Sequence, residues 1–235
     1  MNSDREVVIV ADGLVKQFTT PGSATVTAVD DVSFGLPRGR MVVIKGPSGC
    51  GKTTLLNLIG ALDKPTAGSI AVDGINVSGI NGKDEVMYRL RKVGFVFPHY
   101  YLVPNLTALE NVMLPMDLLG VDRNQREARA WQLLERVGID ADRQDYRPGR
   151  LSGSEQQRVA IARALTNAPA VILADEPTGN LDSGTGRSII ELLYSLTQEG
   201  ETVILATREV NIATKADVVL EMRDGRVRQV AAIAN

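Results

Sequence analysis

Two tracts of the chain are apolar at every position, Val171-Ile172-Leu173-Ala174 and Val203-Ile204-Leu205-Ala206. A strand covered by helices on both faces reads this way, without polar alternation. Met41-Val42-Val43-Ile44 has the same character. Val7-Val8-Ile9-Val10 and Ser69-Ile70-Ala71-Val72 are shorter β-like runs, and the second leads into Asp73-Gly74, the signature of a hairpin turn. A final hairpin is predicted at Asp224-Gly225. Between these strands the period changes. Thr54-Leu55-Leu56-Asn57-Leu58-Ile59 opens a helix. Ala108-Leu109-Glu110-Asn111-Val112-Met113-Leu114 reads as another, interrupted or kinked at Pro115. Residues 123–137 form a charged amphipathic helix with Ala130, Leu134 and Val137 on one face and Gly138 as its stop. Ser152 followed by Glu155 is a capping-box pattern that starts a helix through Leu165, and 187–198 is helical between the two apolar strands. The alternation predicts an α/β fold with a parallel-sheet core, an N-terminal antiparallel β subdomain and an inserted helical subdomain. One unit over 1–235 is expected, with 1–96 and 166–235 as core and 97–165 as the helical part.

Length and charge narrow the classes. A chain of 235 residues and 25.3 kDa can bury a full core, as one large domain or two lobes. The net charge of −2 offers no basic surface to DNA or RNA, so no nucleic-acid partner is expected. No apolar run approaches the roughly 20 residues of a membrane span. The opening Met1-Asn2-Ser3-Asp4-Arg5-Glu6 lacks the basic and apolar regions of a signal peptide. The single cysteine, Cys50, excludes an internal disulfide and suits a reducing cytosol. It reads as a small loop residue in preference to a redox switch.

The chemistry begins at Gly46-Pro47-Ser48-Gly49-Cys50-Gly51-Lys52-Thr53, which fits the phosphate-loop pattern G-x-x-x-x-G-K-[ST] between a strand and a helix. Its glycines let successive backbone N–H groups turn inward as an anion-binding nest, and the following helix aims its positive end at the same place. Lys52 is expected on the β- and γ-phosphates of a nucleoside triphosphate and the Thr53 hydroxyl on Mg²⁺. The phosphate-binding set is Gly46, Ser48, Gly49, Cys50, Gly51, Lys52, Thr53 and Thr54. Asp175-Glu176, closing an apolar strand, is the complement: the first carboxylate suits the Mg²⁺ shell, the second can polarise a water for in-line attack. Phe18 can either pack a strand edge or stack on a purine.

With these motifs in view, the sequence resembles the ATP-binding subunits of ABC transporters over nearly its whole length, within the P-loop NTPases and their RecA-like core. It is similar above all to the lipoprotein-release, macrolide-export and cell-division branch. Leu151-Ser152-Gly153-Ser154-Glu155-Gln156-Gln157-Arg158 looks like the family signature. Asp175-Glu176-Pro177-Thr178-Gly179-Asn180-Leu181-Asp182 looks like the second carboxylate motif running into the D-loop. Gly94-Phe95-Val96-Phe97 and Leu106-Thr107-Ala108-Leu109-Glu110-Asn111-Val112 flank the place of the Q-loop. The resemblance implies a head-to-tail pair, a homodimer in the simplest case, with ATP between the phosphate loop of one copy and Ser152, Gly153 and Ser154 of the other. It places Phe18 on adenine, Asp182 at the dimer seam, and Glu176, Lys52 and Arg208 around the γ-phosphate as catalytic residues, with Thr53 and Asp175 on the metal. It also implies a membrane permease received around Tyr100 and Tyr101, and a cytoplasmic, membrane-peripheral location.

Three positions depart from the family pattern. The family's glutamine after Gly-Phe-Val-Phe is Pro98, its histidine after the next strand is Arg208, and its second signature glycine is Ser154. Proline has neither amide side chain nor N–H. Arginine neutralises phosphate charge but never acts as a neutral imidazole acceptor. Serine keeps its N–H but adds bulk. The expectation is an ATPase whose nucleotide binding survives and whose hydrolysis is slowed, with an ATP-gated dimerising clamp as the alternative. DNA-associated relatives carry large insertions and basic surfaces not seen here, and a small-molecule kinase would leave residues 151–182 unexplained.

Overall fold

The computed structural model describes residues 6–19, 21–22 and 24–230. The opening Met1–Arg5 segment, read above for a leader, lies outside them. Two sheets organise the chain. The first is antiparallel, built from β1 (Val7–Phe18), β2 (Val26–Pro37), β4 (Ala67–Val72) and β5 (Ile75–Asn76) in the order β2-β1-β4-β5. The second holds β3 (Met41–Lys45), β6 (Val93–Val96), β7 (Val171–Asp175), β8 (Val203–Thr207), β9 (Val218–Arg223) and β10 (Arg226–Val230) in the order β10-β9-β3-β8-β7-β6. All its neighbouring pairs are parallel except the edge hairpin β9-β10, which turns at Asp224-Gly225 as predicted.

The unbroken apolar tracts are explained by what covers the two faces of this second sheet. Met41, Val43, Ile172, Ala174, Val203 and Leu205 join a core with the helices α3 (Ala108–Leu118), α4 (Arg123–Arg136), α5 (Gly153–Leu165) and α6 (Ser183–Gln198). Val42, Ile44, Val171, Leu173, Ile204 and Ala206 face the other way, onto α1 (Lys52–Ile59) and the antiparallel sheet. Each fully buried Val, Leu or Ile contributes about 1.5–3 kcal/mol, so alternate residues of one strand stabilise two different layers.

Several elements differ from the sequence reading. β1 runs to Phe18, well past the Val7–Val10 run, through register shifts beside Gly13 that the alternation does not advertise. The helix α2 (Lys83–Lys92) was not expected, because only Tyr88 in it is buried and apolar periodicity is therefore missing. α3 is not interrupted at Pro115 and continues to Leu118. Its start is fixed by a capping box between Thr107 and Glu110, and the buried Asn111 amide donates to the carbonyls of Val103, Leu106 and Thr107. That anchoring, with Ala108, Val112 and Met116 in the core, outweighs one missing N–H in the last turn. α6 starts at Ser183, earlier than expected, because Asp182 caps it by accepting from the N–H groups of Gly184 and Thr185.

Parallel order decides where chemistry can occur. Lys45 lies opposite Thr207 and Asp175 opposite Ala206, so the loops after β3, β7 and β8 leave the same edge of the sheet. The carboxyl ends of parallel strands are where α/β sheets receive ligands. Among the described residues no helix is long and apolar enough to cross a membrane.

Candidate functional site

The loop after β3 folds as its glycines require. Gly49 and Gly51 have φ of 77° and 108°, a region that residues with a Cβ rarely enter. A Cβ on Gly51 would also sit 2.1 Å from the Ala28 carbonyl oxygen. The helix α1 then starts at Lys52, two residues before the predicted Thr54. Lys52 is only 5% exposed, and its ammonium donates to the carbonyls of Gly46 and Pro47, both at 2.9 Å. The buried cation is thus held over the loop by two carbonyls. Cys50 is buried in the loop as a free thiol.

Beside the loop, the Thr53 hydroxyl donates to Asp175 Oδ2 at 2.8 Å. The other oxygen, Asp175 Oδ1, is buried without a hydrogen-bond partner among the described residues. Burial pushes the Asp175 carboxyl above its ordinary value; the Thr53 hydroxyl and the Lys52 charge pull the other way, and Glu176 adds to the rise. A buried oxygen lacking a donor, next to a hydroxyl, is a donor set that fits a hard divalent cation.

Glu176 follows with φ of 40° and its N–H bonded to the Ala206 carbonyl at 2.9 Å. Its Oε2 accepts from Arg208 Nε at 2.9 Å and forms an ion pair with Arg208 Nη2 at 2.7 Å. One residue on, Glu209 accepts from the Thr178 hydroxyl at 3.0 Å. Ala28, Ser48, Gly49, Gly51, Lys52, Thr53, Thr54 and Glu176 line one cavity of about 180 Å³. The structure therefore brings the phosphate loop, Asp175, Glu176 and Arg208 together.

Phe18 ends β1 opposite Val26, two residues from the cavity-lining Ala28, and is 44% exposed with the Lys16 ammonium 4.9 Å from its ring centre. Phe18 is not among the residues lining the cavity. Ser152, Gly153, Ser154 and Asp182 are not among the residues lining the phosphate cavity. Ser152 caps α5 in the predicted capping box, and its N–H and hydroxyl hold the Glu155 carboxyl below its usual range. Asp182 is exposed at the start of α6, its carboxyl lowered by the N–H and hydroxyl of Thr185.

The segment after β6 contains contacts that sequence reasoning missed. Tyr100 and Tyr101 both have positive φ, 60° and 45°. Their carbonyls accept from the Arg163 guanidinium at 2.6 Å each. Asn180 donates to the Pro98 carbonyl and pairs with His99 Nδ1 at 3.0 Å. Gly153 lies so close that a Cβ there would meet the Tyr100 hydroxyl at 2.9 Å. The one available signal was Arg163 itself, a charge inside the apolar run Ile161-Ala162-Arg163-Ala164-Leu165. Tyr101 is 61% exposed, and with Phe95, Phe97, Leu62 and Arg89 it borders a groove of about 350 Å³.

Comparison with known proteins agrees with this geometry. A family model described as ABC transporter matches residues 29–179. An uncharacterized ABC transporter ATP-binding protein of Thermotoga maritima is 48% identical over 206 residues, covering 88% of each chain. The macrolide export ATP-binding/permease protein MacB of Rhodopseudomonas palustris is 45% identical over 92% of this chain, which spans only 33% of that longer protein. Among solved structures, a dimeric post-hydrolysis state of the ATP-binding cassette MJ0796 bound to ADP and Pi matches with a TM-score of 0.87 and 38% identity, over 97% of this chain and all of that one. A family model over residues 29–179 and a relative 48% identical over 88% of both chains show that the chain belongs to the ABC transporter family of ATP-binding proteins.

Proposed function

We propose that this chain binds ATP at its phosphate loop, closes on it as a head-to-tail pair of cassettes, and drives a membrane permease of export or envelope-remodelling type, with hydrolysis restrained. The observation that carries the reading is the single edge at which Lys52, Thr53, Asp175, Glu176 and Arg208 meet. Loop N–H groups and Lys52 bind the β- and γ-phosphates, and Phe18 stacks on the adenine at the rim. The Thr53 hydroxyl and Asp175 would hold Mg²⁺, which when bound neutralises charge on those phosphates. Ser152, Gly153 and Ser154 reach the γ-phosphate of the partner copy, and Asp182 lies at the seam between the two.

Turnover requires Glu176 to take a proton from water as that water attacks the γ-phosphorus and the bond to the ADP oxygen breaks. Arg208 occupies the carboxylate that would do this. Pro98 offers no side-chain amide to the same water. Losing one well-placed polar group at such a centre costs roughly 10²–10³ in rate. The same pairing favours a second reading, an ATP-gated clamp that dimerises with little turnover.

The groove beside Tyr101 supports a permease contact: it is apolar and aromatic, in a segment held rigidly by Arg163. The name of the MacB relative pairs ATP binding with a permease. A cytoplasmic, membrane-peripheral location follows from that role. The test is size-exclusion chromatography with Mg-ATP. The Glu176→Gln variant should elute as a dimer and Lys52→Ala as a monomer. A Glu176→Gln chain that stays monomeric at saturating ATP would count against the proposal.

A further inference from the structure

We propose that the helical part of the chain carries a second ligand site, separate from the phosphate loop, that takes a small organic cation of the guanidinium class. The site is a cavity of about 410 Å³ between the second half of α4 and the short turn Ala141–Arg143. None of its lining residues lines the phosphate cavity. Its volume lies within the roughly 300–1,000 Å³ of small-molecule sites.

Four lining residues set the chemistry. Gln144 is 2% exposed, yet its side-chain oxygen Oε1 has no hydrogen-bond partner among the described residues. A buried acceptor left open lowers stability until a donor reaches it. Its backbone is fixed: the Gln144 carbonyl accepts from the Leu109 N–H at 3.0 Å and the Tyr146 carbonyl from the Ala108 N–H at 2.8 Å, so this strap satisfies free donors at the start of α3. Glu135 and Asp140 add two exposed carboxylates, neither ion-paired among the described residues. The neighbouring cations are engaged elsewhere: Arg136 with Glu199 and Glu201, Arg143 with Asp142 and Glu155, Arg158 with the Val137 carbonyl and Ser188. Trp131, the only tryptophan of the chain, lies one turn before Glu135 on the same side of α4 and is 36% exposed.

The lining thus offers acceptors and an aromatic ring, and every charge in it is negative. An anion is repelled, and an apolar ligand leaves Oε1 without its donor. Among the described residues no group of three His, Cys, Asp or Glu side chains could hold a metal ion. A guanidinium meets each demand. Its planar fork of N–H donors serves the carboxylates and the amide oxygen, and its weakly hydrated face stacks on an indole.

The emission of Trp131 reports on this cavity alone, because the chain has no other tryptophan. The full chain is titrated with agmatine, a guanidinium and an ammonium on one butyl stem, and with 1,4-diaminobutane, which has equal charge and no guanidinium. Agmatine should shift the emission saturably with a Kd at or below about 1 mM. The diamine should bind at least about five-fold more weakly. Gln144→Leu removes the acceptor and should weaken agmatine about ten-fold while ATP affinity holds, which also shows that the variant is folded. Glu135→Gln with Asp140→Asn, both on the surface, should weaken it about ten-fold without touching the interior. No saturation below about 10 mM, equal affinity for the diamine, or wild-type binding by either variant overturns the site. Acetylarginine amide is the last arm. Weaker binding than agmatine supports a free cation, whereas tighter binding overturns that source in favour of an arginine side chain on a partner protein.

Discussion

The phosphate loop and the segments around Glu176 are built on different terms. On the side of the phosphate loop the polar groups are only partly partnered: Lys52 donates to two loop carbonyls, Thr53 donates to one Asp175 oxygen, and the other Asp175 oxygen has no donor among the described residues. That oxygen is a buried lone pair kept open at a cost in stability. On the opposite side the groups are already satisfied within the chain. Glu176 is paired with Arg208, Thr178 with Glu209, and the Pro98 carbonyl with Asn180. A side that lacks partners is prepared for a ligand; a side that has found them must give something up before it can act. The contrast teaches why binding and hydrolysis need not stand or fall together in this chain.

The comparison can be broken most strongly at Lys52. Lys52→Ala should remove nucleotide binding by about a hundred-fold or more, since it deletes a charge-assisted contact in a partly dry site. Equilibrium titration with ATP checks this, and retention of affinity would show that the loop does not carry the site. A smaller effect is expected at Asp175, where stability and binding should move in opposite directions. Its folded pKa is raised, so below the ordinary carboxyl value both folded and unfolded forms are protonated and nothing is lost. Above the folded pKa the charged form is penalised in the fold. Asp175→Asn should therefore raise the melting temperature of the nucleotide-free chain at neutral pH, by about 2–4 °C per kcal/mol recovered. The gain should fade in acid, while Mg²⁺-dependent ATP binding weakens. Calorimetric melts at pH 3.5 and pH 7 decide it.

The smallest effect is at the signature helix. The capping box of α5 depends on an ionised Glu155 whose carboxyl is held low by Ser152. Its contribution is present above the unfolded carboxyl pKa and is lost as pH falls through the folded one. Ser152→Ala should cost about 1 kcal/mol, or roughly 2–4 °C, at neutral pH. Glu155→Gln should reproduce part of that loss at pH 7 and none of it in strong acid. A helix whose melting ignores both changes would remove the cap from the account.

The phosphate-loop side was legible in the sequence and the surroundings of Glu176 only partly so, for a physical reason. The loop from Gly46 to Thr53 and the pair Asp175-Glu176 are contiguous, and their chemistry is set by local backbone and a strand's end. The departures at Pro98, Arg208 and Ser154 were equally visible as residue types. What they touch was not. Arg208 meets Glu176 only because β8 lies beside β7 in a register that puts Asp175 opposite Ala206. Asn180 meets Pro98 and His99 across two irregular loops that no periodicity describes. α2 escaped because a mostly exposed helix leaves no apolar trace, and α3 runs uninterrupted through Pro115 because capping and burial outweighed a local breaker.

The most direct measurement is steady-state phosphate release at saturating Mg-ATP by the wild type, Glu176→Gln, and a chain carrying Arg208→His with Pro98→Gln. The account predicts a wild-type rate close to that of Glu176→Gln and a rise of at least ten-fold in the double substitution, on the scale of one restored polar group. A wild type already turning over far above Glu176→Gln, or a double substitution with no gain, would contradict the proposal that Arg208 on Glu176 and Pro98 in place of an amide hold hydrolysis back.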